Sequence, residues 1–327
     1  MFYAIKSFLS EVTVVLLDED KQPFTFYTVR AEDINLGDSY VAQITGKMNE
    51  QKAFFAQIGD GRDVFLTSRQ PFEIGQKITV IVSKEARLGK IPQAKRQGNV
   101  MPPKTPLGLV QKGDILAGIS NPEDYQQIDW QDDFDDFILE ASEMYVPFAK
   151  GARLIFERTH AFYSIDVDSH TSTESFQKLN KEAAALIAKE IIKRNISGNI
   201  LIDFIGQKTK NELSELKNIM SRELCKSPVP YQLMGISQAG NVELRRQRMR
   251  SGVDDTSRTL TSLAYRLFTE IVKQPTHIKQ VNVSLNLYGH LTTLLQKTWK
   301  QVEAKTGYKI PLVADTQLTT YKIEYKQ

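Results

Sequence analysis

Residues 151–206 change from a strand-like to a helix-like hydrophobic period and back. Three short apolar runs rich in Ile, Val and Phe, at 151–158, 161–168 and 199–205, are typical of core strands. Between the second and third runs, apolar residues from Phe176 to Ile191 recur at helical spacing and predict a helix of about 20 residues. This order predicts an α/β unit at the centre of the chain.

Two polar pairs predict where helices begin. Thr171 with Glu174 has the spacing of a capping box ahead of the first helix. Thr209 to Glu212 is expected to open a second amphipathic helix that ends at Cys225, which we expect to be a small buried side chain.

The first 98 residues instead show short apolar runs separated by glycine and polar turns. Two strands, at 13–17 and 24–29, are predicted within residues 1–33 and are expected to pack on the central α/β unit. Further strands are predicted at 40–45, 53–58, 63–65 and 77–82. Strands at this spacing favour a small closed barrel over residues 34–98.

The remaining regions differ in composition. Residues 99–150 begin with prolines and become acidic between 123 and 140, where helical spacing of the apolar residues favours a solvated acidic face. We expect a connecting region there, an α/β domain at 151–252 and a small C-terminal α/β domain at 253–327. In the last region we predict a helix at 257–273, a strand at 280–285, a helix at 286–305, and strands at 308–314 and 319–325.

Composition narrows the class of protein. The 327 residues carry a net charge of +3, so a nucleic-acid surface would have to be local. A single cysteine, Cys225, excludes an intramolecular disulfide and a multi-cysteine zinc site, which favours a reducing cytoplasm. The N-terminus is interpreted as a strand and not as a signal peptide, and no stretch is long enough to span a membrane.

The candidate chemistry begins with three aspartates in the apolar runs. A carboxylate inside a core strand is costly unless its charge is compensated. Asp166 and Asp168 share one face of their strand, and Asp203 lies near the end of the next predicted strand. Three such oxygen donors would suit Mg²⁺, although helix capping or pairing with an arginine is about as probable for any one of them.

Two further groups of residues suggest contacts with a nucleic acid. Residues 243–250 hold four arginines, a pattern that fits phosphate binding or, alternatively, a solvated or salt-bridged surface strip. Aromatic residues among cations in the predicted barrel fit base stacking, although any one phenylalanine is more often part of a core. The barrel candidates are Phe54, Phe55, Phe65, Arg62, Lys84, Arg87 and Lys90.

Several of these segments together resemble the bacterial ribonuclease E/G family, and most closely its short members. Ala53 to Leu66 is similar to the family's S1-type motif AAFVDIGxGRxGFL, and Lys84 to Lys90 follows its KEARxGKG pattern. The other matching segments are Ile165 to Ser169 (IDVDS), Asn180 to Ala184 (TNxEAA), Gly198 to Ile205 (GGLIVIDFI) and Glu243 to Arg250 (EMSRQRLR).

The resemblance implies a multidomain α+β fold. Its expected parts are an S1-type OB barrel, an α/β catalytic domain with RNase H-like and DNase I-like elements, and a small C-terminal α/β module. It implies hydrolytic cleavage of single-stranded RNA with Mg²⁺ in RNA processing or decay. The implied residues are Asp166 and Asp203 as metal ligands, Asp168 as the third catalytic position, and Phe55, Phe65, Lys84, Lys90, Arg246 and Arg248 as RNA contacts.

The chain also departs from the family pattern. His170 and Thr171 stand where the family has Gly-Arg or Ala-Arg, Gly206 replaces an aspartate, and His160 replaces a glutamate. The zinc-link cysteines and most of the 5′-sensor region are missing, so a homo-oligomer would not be expected to be zinc-linked. The alternative function is therefore an RNA-binding protein of this family with weakened catalysis.

Overall fold

The computed structural model describes residues 1–48, 52–87, 89–129, 134–206, 209–256 and 259–326. These residues form a mixed α+β structure with four sheets, of four, six, three and six strands. This agrees with the α+β class predicted from the sequence. The chain divides into two compact units, the first comprising 1–5, 13–29 and 34–253, and the second comprising 6–12, 30–33 and 254–327.

The strands are β1 Phe2–Phe8, β2 Glu11–Leu17, β3 Pro23–Arg30, β4 Ser39–Met48, β5 Ala53–Gln57, β6 Asp63–Thr67, β7 Lys77–Lys84, β8 Gln93–Met101, β9 Gly108–Gln111, β10 Gln126–Gln127, β11 Tyr145–Phe148, β12 Ala152–Arg158, β13 Tyr163–Asp168, β14 Gly198–Asp203, β15 Tyr231–Ile236, β16 Val242–Arg246, β17 Ile278–Val283, β18 Leu312–Ala314 and β19 Tyr321–Tyr325. The helices are α1 Asp135–Glu140, α2 Phe176–Lys193, α3 Lys210–Leu224, α4 Val253–Thr256, α5 Leu260–Lys273, α6 Leu285–Thr292 and α7 Gln296–Thr306.

The central sheet of the first unit has the strand order β11-β12-β13-β14-β16-β15. Strands β13 and β14 are parallel and are connected through α2, as the strand–helix–strand pattern predicts. The apolar faces of α2 and α3 pack with the sheet in one buried cluster that includes Ile165, Ile187 and Ile202. The central sheet therefore has one face covered by helices, and this decides which strand residues reach solvent.

The starts of these two helices test the predictions of where they begin. The predicted capping box at Thr171 and Glu174 is wrong, because the N-cap of α2 is Ser175, whose Oγ accepts a hydrogen bond from the Lys178 amide. At α3 the prediction that Thr209 to Glu212 opens a helix is confirmed, and the structure adds that Thr209 and Glu212 form a capping box with both of its hydrogen bonds.

The N-terminal strands and the acidic segment contribute to the first unit. Thr25 of β3 donates a hydrogen bond from Oγ1 to the Ile192 carbonyl at the end of α2. Phe134 is buried just before α1, while Asp136 and Glu140 are exposed, in agreement with an acidic outer face. Residues 130–133 of the acidic segment lie outside the described residues.

The second six-stranded sheet follows the order β5-β6-β8-β7-β4-β9, and β4 also pairs with β5. Residues that alternate along its strands form a buried cluster that includes Ile44, Phe54 and Val80. The sheet runs to Gln111, past the limit at residue 98 predicted from the sequence. We refer to it as the β4–β9 sheet.

The second unit joins the three-stranded sheet β18-β17-β19 to α5, α6 and α7 around its own core. The single helix predicted at 286–305 is wrong, because α6 ends at Thr292 and α7 begins at Gln296. The hydroxyls of Thr292 and Thr293 both donate to the Gly289 carbonyl, a local bond that competes with helix continuation.

The exposure of Cys225 and the apolar character of the helices test two further expectations from the sequence. Cys225 is exposed, so its predicted burial is wrong; its thiol lies at the end of α3 and donates to the Arg222 carbonyl. Among the described residues, no helix combines the length and apolar character needed to cross a membrane.

Candidate functional site

The predicted aspartates lie on the face of the central sheet that the helices leave uncovered. Ile165 and Ile202 point into the helix-covered core, so by strand alternation their neighbours Asp166 and Asp203 point the other way. Both aspartates are exposed. The prediction that these carboxylates are buried is therefore wrong, and hydration meets much of the cost of their charge.

The register places these two residues directly beside each other. Asp166 of β13 pairs with Asp203 of β14, so their backbones are roughly 4.8 Å apart and their side chains leave the same face. Partial burial and then repulsion from Asp203 and Asp168 raise the pKa of Asp166 above its ordinary value. Two carboxylates held together against their repulsion form an oxygen-donor pair suited to a hard cation.

Asp168 points from the same face but is already engaged. Its Oδ2 accepts a hydrogen bond from Arg153 Nε at 2.8 Å, and its Oδ1 accepts one from the His170 amide at 2.9 Å. These two bonds hold the pKa of Asp168 below its usual range. The Arg153 guanidinium also lies over the Tyr145 ring, 5.1 Å from its centroid, which fixes the arginine from the opposite side.

No three His, Cys, Asp or Glu side chains among the described residues are grouped closely enough to hold a metal. The predicted three-carboxylate cluster is therefore reduced to the adjacent pair, Asp166 and Asp203. Mg²⁺ commonly keeps several waters and uses only one or two protein carboxylates together with substrate phosphates. The donor set at this site fits that mode of binding.

The residues that depart from the family pattern fit the turns in which they lie. His170 has a positive φ of 44°, and its amide bonds to Asp168. Thr171 donates its amide to the Gly151 carbonyl, and a Cβ at position 151 would collide with the Thr171 hydroxyl. The turn after Asp168 is thus held by short-range contacts of these substituted residues.

The sequence did not indicate the positioning role of one residue, Asn180. Asn180 is buried in α2, its Nδ2 donates to the Ile205 carbonyl at 3.0 Å, and its Oδ1 accepts from the Ile205 amide at 2.9 Å. These paired bonds fix the backbone two residues beyond Asp203. A polar residue beside Leu179 in an apolar helix face was the available signal, but it could not identify Ile205 as its partner.

A basic pocket of about 810 Å³ lies at the other end of the same strands. Its lining includes Gly198 and Asn199 at the start of β14, and none of its described lining residues is Asp or Glu. Its basic side chains are Lys84, Arg87, Lys90, Arg158, Arg245, Arg246, Arg248 and His160. Such a concentration of positive charge without acidic neighbours fits a polyanion.

The sheet geometry relates this pocket to the aspartates. Asn199 pairs with Arg245, and Asn199 is four residues before Asp203 on β14. At about 3.3 Å per residue the two positions are roughly 13 Å apart. Asn199 and Asp203 also share one face by alternation, so a chain bound in the pocket has a direct path over the sheet to the carboxylates.

The arginines of residues 243–250 have distinct environments: Arg246 and Arg250 are buried, and Arg250 forms an ion pair with Glu85, which agrees with the salt-bridged alternative for that residue. Arg245 is exposed and Arg248 is half-buried. Arg246 is 1% exposed and donates to Asn195, Ile196 and Ser227.

Arg246 has one donor left over. Its Nη2 is buried without a hydrogen-bond partner, and burial lowers the pKa of the guanidinium to about 10. Because Arg246 also lines the pocket, this orphaned donor marks a position where an anion would be favoured.

The β4–β9 sheet contributes cations and aromatic rings. Burial, followed by repulsion from Arg248 and Arg245, lowers the pKa of Lys84, whereas Lys90 is exposed. Phe55 and Phe65 are half-exposed neighbours across β5 and β6, with ring centroids 5.7 Å apart. Phe54 is buried in the core, which confirms that at least one of these phenylalanines is structural.

Comparison with protein families places this geometry in a known context. Residues 119–249 match the model of the "Ribonuclease E/G family". The matched range contains Asp166, Asp168, Asp203 and the arginines up to Arg248, but it does not include the β4–β9 sheet. The S1-type resemblance of residues 53–66 and 84–90 therefore stays an expectation.

Individual relatives agree with this family. Ribonuclease G of Salmonella typhimurium and ribonuclease G of Escherichia coli K12 are each 26% identical over 160 residues. Each alignment covers 43% of this chain and 33% of the relative, so this chain matches about a third of the length of those proteins. A ribonuclease E/G-like protein of Pyropia yezoensis is 36% identical over 104 residues, 30% of this chain and 20% of that protein. The family match and these relatives show that residues 119–249 of this chain are similar to the ribonuclease E/G family.

Proposed function

We propose that this protein is a Mg²⁺-dependent endoribonuclease that hydrolyses phosphodiester bonds in single-stranded RNA during RNA processing or decay. The observation that carries the proposal is the arrangement on β14, where a carboxylate pair and a basic pocket lie at opposite ends of one strand. Phosphates need cations for binding, and their hydrolysis needs a site where negative charge is stabilised. The similarity of residues 119–249 to the ribonuclease E/G family supports the reaction class.

Asp166 and Asp203 are the residues that would hold Mg²⁺. When bound, Mg²⁺ stabilises charge on the phosphate and favours deprotonation of water. Asp168 would contribute as the third catalytic position by accepting a hydrogen bond from water or by orienting its neighbours, while Arg153 restricts its orientation. The two hydrogen bonds of the Asn180 side chain to the Ile205 backbone keep the Asp203 strand end in place, which preserves the spacing of the pair.

The basic pocket would bind the RNA backbone. Arg248, Lys84 and Lys90 would contact phosphates directly, because each is at least partly accessible. Arg246 would shape the floor of the pocket and offer its unpartnered Nη2 to a phosphate oxygen. Phe55 and Phe65 would stack bases as single-stranded RNA crosses the β4–β9 sheet.

The finer description of the fold is part of the same proposal. Pairing of β4 with both β5 and β7 supports an S1-type OB barrel. The mixed central sheet supports a catalytic domain with RNase H-like and DNase I-like elements. The domain limits 1–33, 34–98, 99–150, 151–252 and 253–327, a cytoplasmic location, and a homo-oligomer without a zinc link also stay proposals.

The decisive experiment compares the wild-type protein with Asp203→Asn on a labelled single-stranded RNA. We expect the wild type to cleave with Mg²⁺ and to stop when EDTA is added, while the variant binds the RNA but does not cleave it. A deoxyribose oligomer of the same sequence provides the substrate control. Retained cleavage by the purified variant would contradict the assignment of Asp203.

A second candidate function is RNA binding with weakened catalysis. It is supported by the engaged state of Asp168, which Arg153 holds in an ion pair, and by the altered neighbours His170 and Gly206. RNA binding by the wild type without any Mg²⁺-dependent cleavage would favour this function over the first.

A further inference from the structure

Phe176 has an unusual exposure for its place in the sequence. It is the first member of the apolar stripe of α2, whose later members Leu179, Ala183, Ile187 and Ile191 are completely buried. Phe176 itself is 53% exposed. An aromatic ring left open to water offers a flat apolar face on which a base can stack.

The position of this ring relates it to the carboxylate pair. A Cβ built at Gly206 would lie 3.1 Å from a Phe176 ring carbon, so the ring lies against the backbone that follows β14. Gly206 is three residues beyond Asp203, a separation of at most about 11 Å along the chain. A nucleotide that flanks a phosphate held at Asp166 and Asp203 would therefore come within reach of the ring.

Both sides of this contact are held in place. Gly206 has a φ of 71°, a conformation that glycine adopts without strain, and the preceding Ile205 is bonded through both backbone groups to Asn180. Asn180 lies one helical turn after Phe176 in α2. The ring is thus presented on a fixed backbone, which lowers the entropic cost of stacking a base on it.

The charge around the ring favours a base over a phosphate. A shallow depression beside Phe176 is also lined by Glu212 and Glu215, the latter paired with Lys181 at 2.7 Å. These acids disfavour a phosphate, whereas the basic pocket at the start of β14 attracts the backbone. Gln177 in the same lining offers an amide to the edge of a base.

We infer that Phe176 is a specificity-determining residue that stacks on the base of a nucleotide flanking the scissile phosphate. The contact rests on the proposed function, because it takes the carboxylate pair as the site of cleavage. Stacking accepts every base but strengthens with the area of its face, so a purine at this position is preferred over a pyrimidine.

The test uses an RNA oligonucleotide with a mapped cleavage site and a series in which each flanking nucleotide in turn is abasic. The proteins are wild type, Phe176→Ala, Phe176→Trp and the control Tyr325→Ala, which removes an exposed ring from the second unit. Phe176→Ala is expected to lower kcat/KM about 5- to 150-fold, and Phe176→Trp and the control are expected to retain it. Thermal unfolding of each variant verifies the fold.

The abasic series locates the contact. At one flanking position, removing the base lowers wild-type cleavage as much as Phe176→Ala does, and the two changes together cause no further loss. Equal activity of Phe176→Ala and the control, or additive losses at every position, would overturn the inference. If the wild type does not cleave, the proposed function fails, and the same series measured by equilibrium binding decides the stacking contact separately.

Discussion

The two ends of β13 and β14 carry opposite charge, and the charged residues at each end come from different kinds of structural element. At the carboxyl end, two neighbouring strands supply Asp166 and Asp203 at directly paired positions. At the start of β14, the pocket collects cations from the β4–β9 sheet, from β12 and from the end of β16. The carboxylate pair follows from the pairing of two neighbouring strands, whereas the basic pocket depends on the packing of segments that are distant in sequence.

This difference separates two tasks on one face. The carboxylates repel a phosphate unless a cation lies between them, and the pocket attracts phosphate without one. Binding and cleavage should therefore respond to different substitutions.

The largest expected effect is on the carboxylate end. Asp166→Asn should lower the rate of RNA cleavage by about 1,000-fold or more, because a metal site contributes several kcal/mol to charge stabilisation. RNA affinity without Mg²⁺ should stay equal or rise, since a negative charge has been removed from the RNA path. Single-turnover cleavage and filter binding measure the two quantities; a parallel loss of both would contradict the separation.

The next effect is on the pocket. Combining Lys84→Gln with Arg248→Gln should weaken RNA binding by about 100-fold, because hydrogen bonds to charged groups contribute about 1.5–3 kcal/mol each. The slope of log affinity against log salt should become shallower by about 1.4 for two lost single-strand phosphate contacts. Titrations between low and moderate salt measure both changes, and Lys279→Gln in the second unit is the matched charge control.

A smaller effect is expected from the aromatic pair of the β4–β9 sheet. Phe55→Ala should weaken RNA binding about tenfold, since base stacking contributes about 1–3 kcal/mol per base. Ile74→Ala, which truncates a side chain that is 67% exposed, serves as the control. If both variants bind RNA like the wild type, Phe55 lies outside the path of the strand.

The smallest effect concerns the ion pair beside the carboxylates. Arg153→Gln should change the free energy of unfolding by no more than about 1 kcal/mol, because both partners are about one-third exposed. Chemical denaturation measures this change. A much larger loss would mean that the stacking of Arg153 on Tyr145, and not its charge, supports this edge of the sheet.

The sequence was sufficient wherever local periodicity controls the structure. It predicted the strands that carry Asp166 and Asp203, the helix that opens at Thr209, and the core location of at least one phenylalanine. It was insufficient where burial depends on what covers a surface. Alternation placed Asp166 opposite its buried neighbours, but only the packing of α2 and α3 on one face determines that the other face is open.

The arginine-rich segment shows the same limit. Four arginines in sequence carry equal formal charge, yet Arg246 and Arg250 became buried while Arg245 stayed exposed. Partners from distant segments, such as Asn195 for Arg246 and Glu85 for Arg250, produced that difference. Phe176 is the converse case, because its apolar side chain has a core-like spacing in the sequence and is nevertheless exposed.

Glu85 has a practical consequence for dissecting this protein. Its carboxylate accepts hydrogen bonds from the Leu36 amide, the Arg250 guanidinium and the Ser251 amide, while its own amide donates to the Met249 carbonyl. An excised fragment of residues 34–111 would keep the bond to Leu36 and lose the other three, all of them beside Lys84. The RNA affinity measured for such a fragment would be that of a rearranged surface around Lys84. Fragments and chimaeras should therefore be cut so that Glu85 and residues 249–251 stay in the same piece.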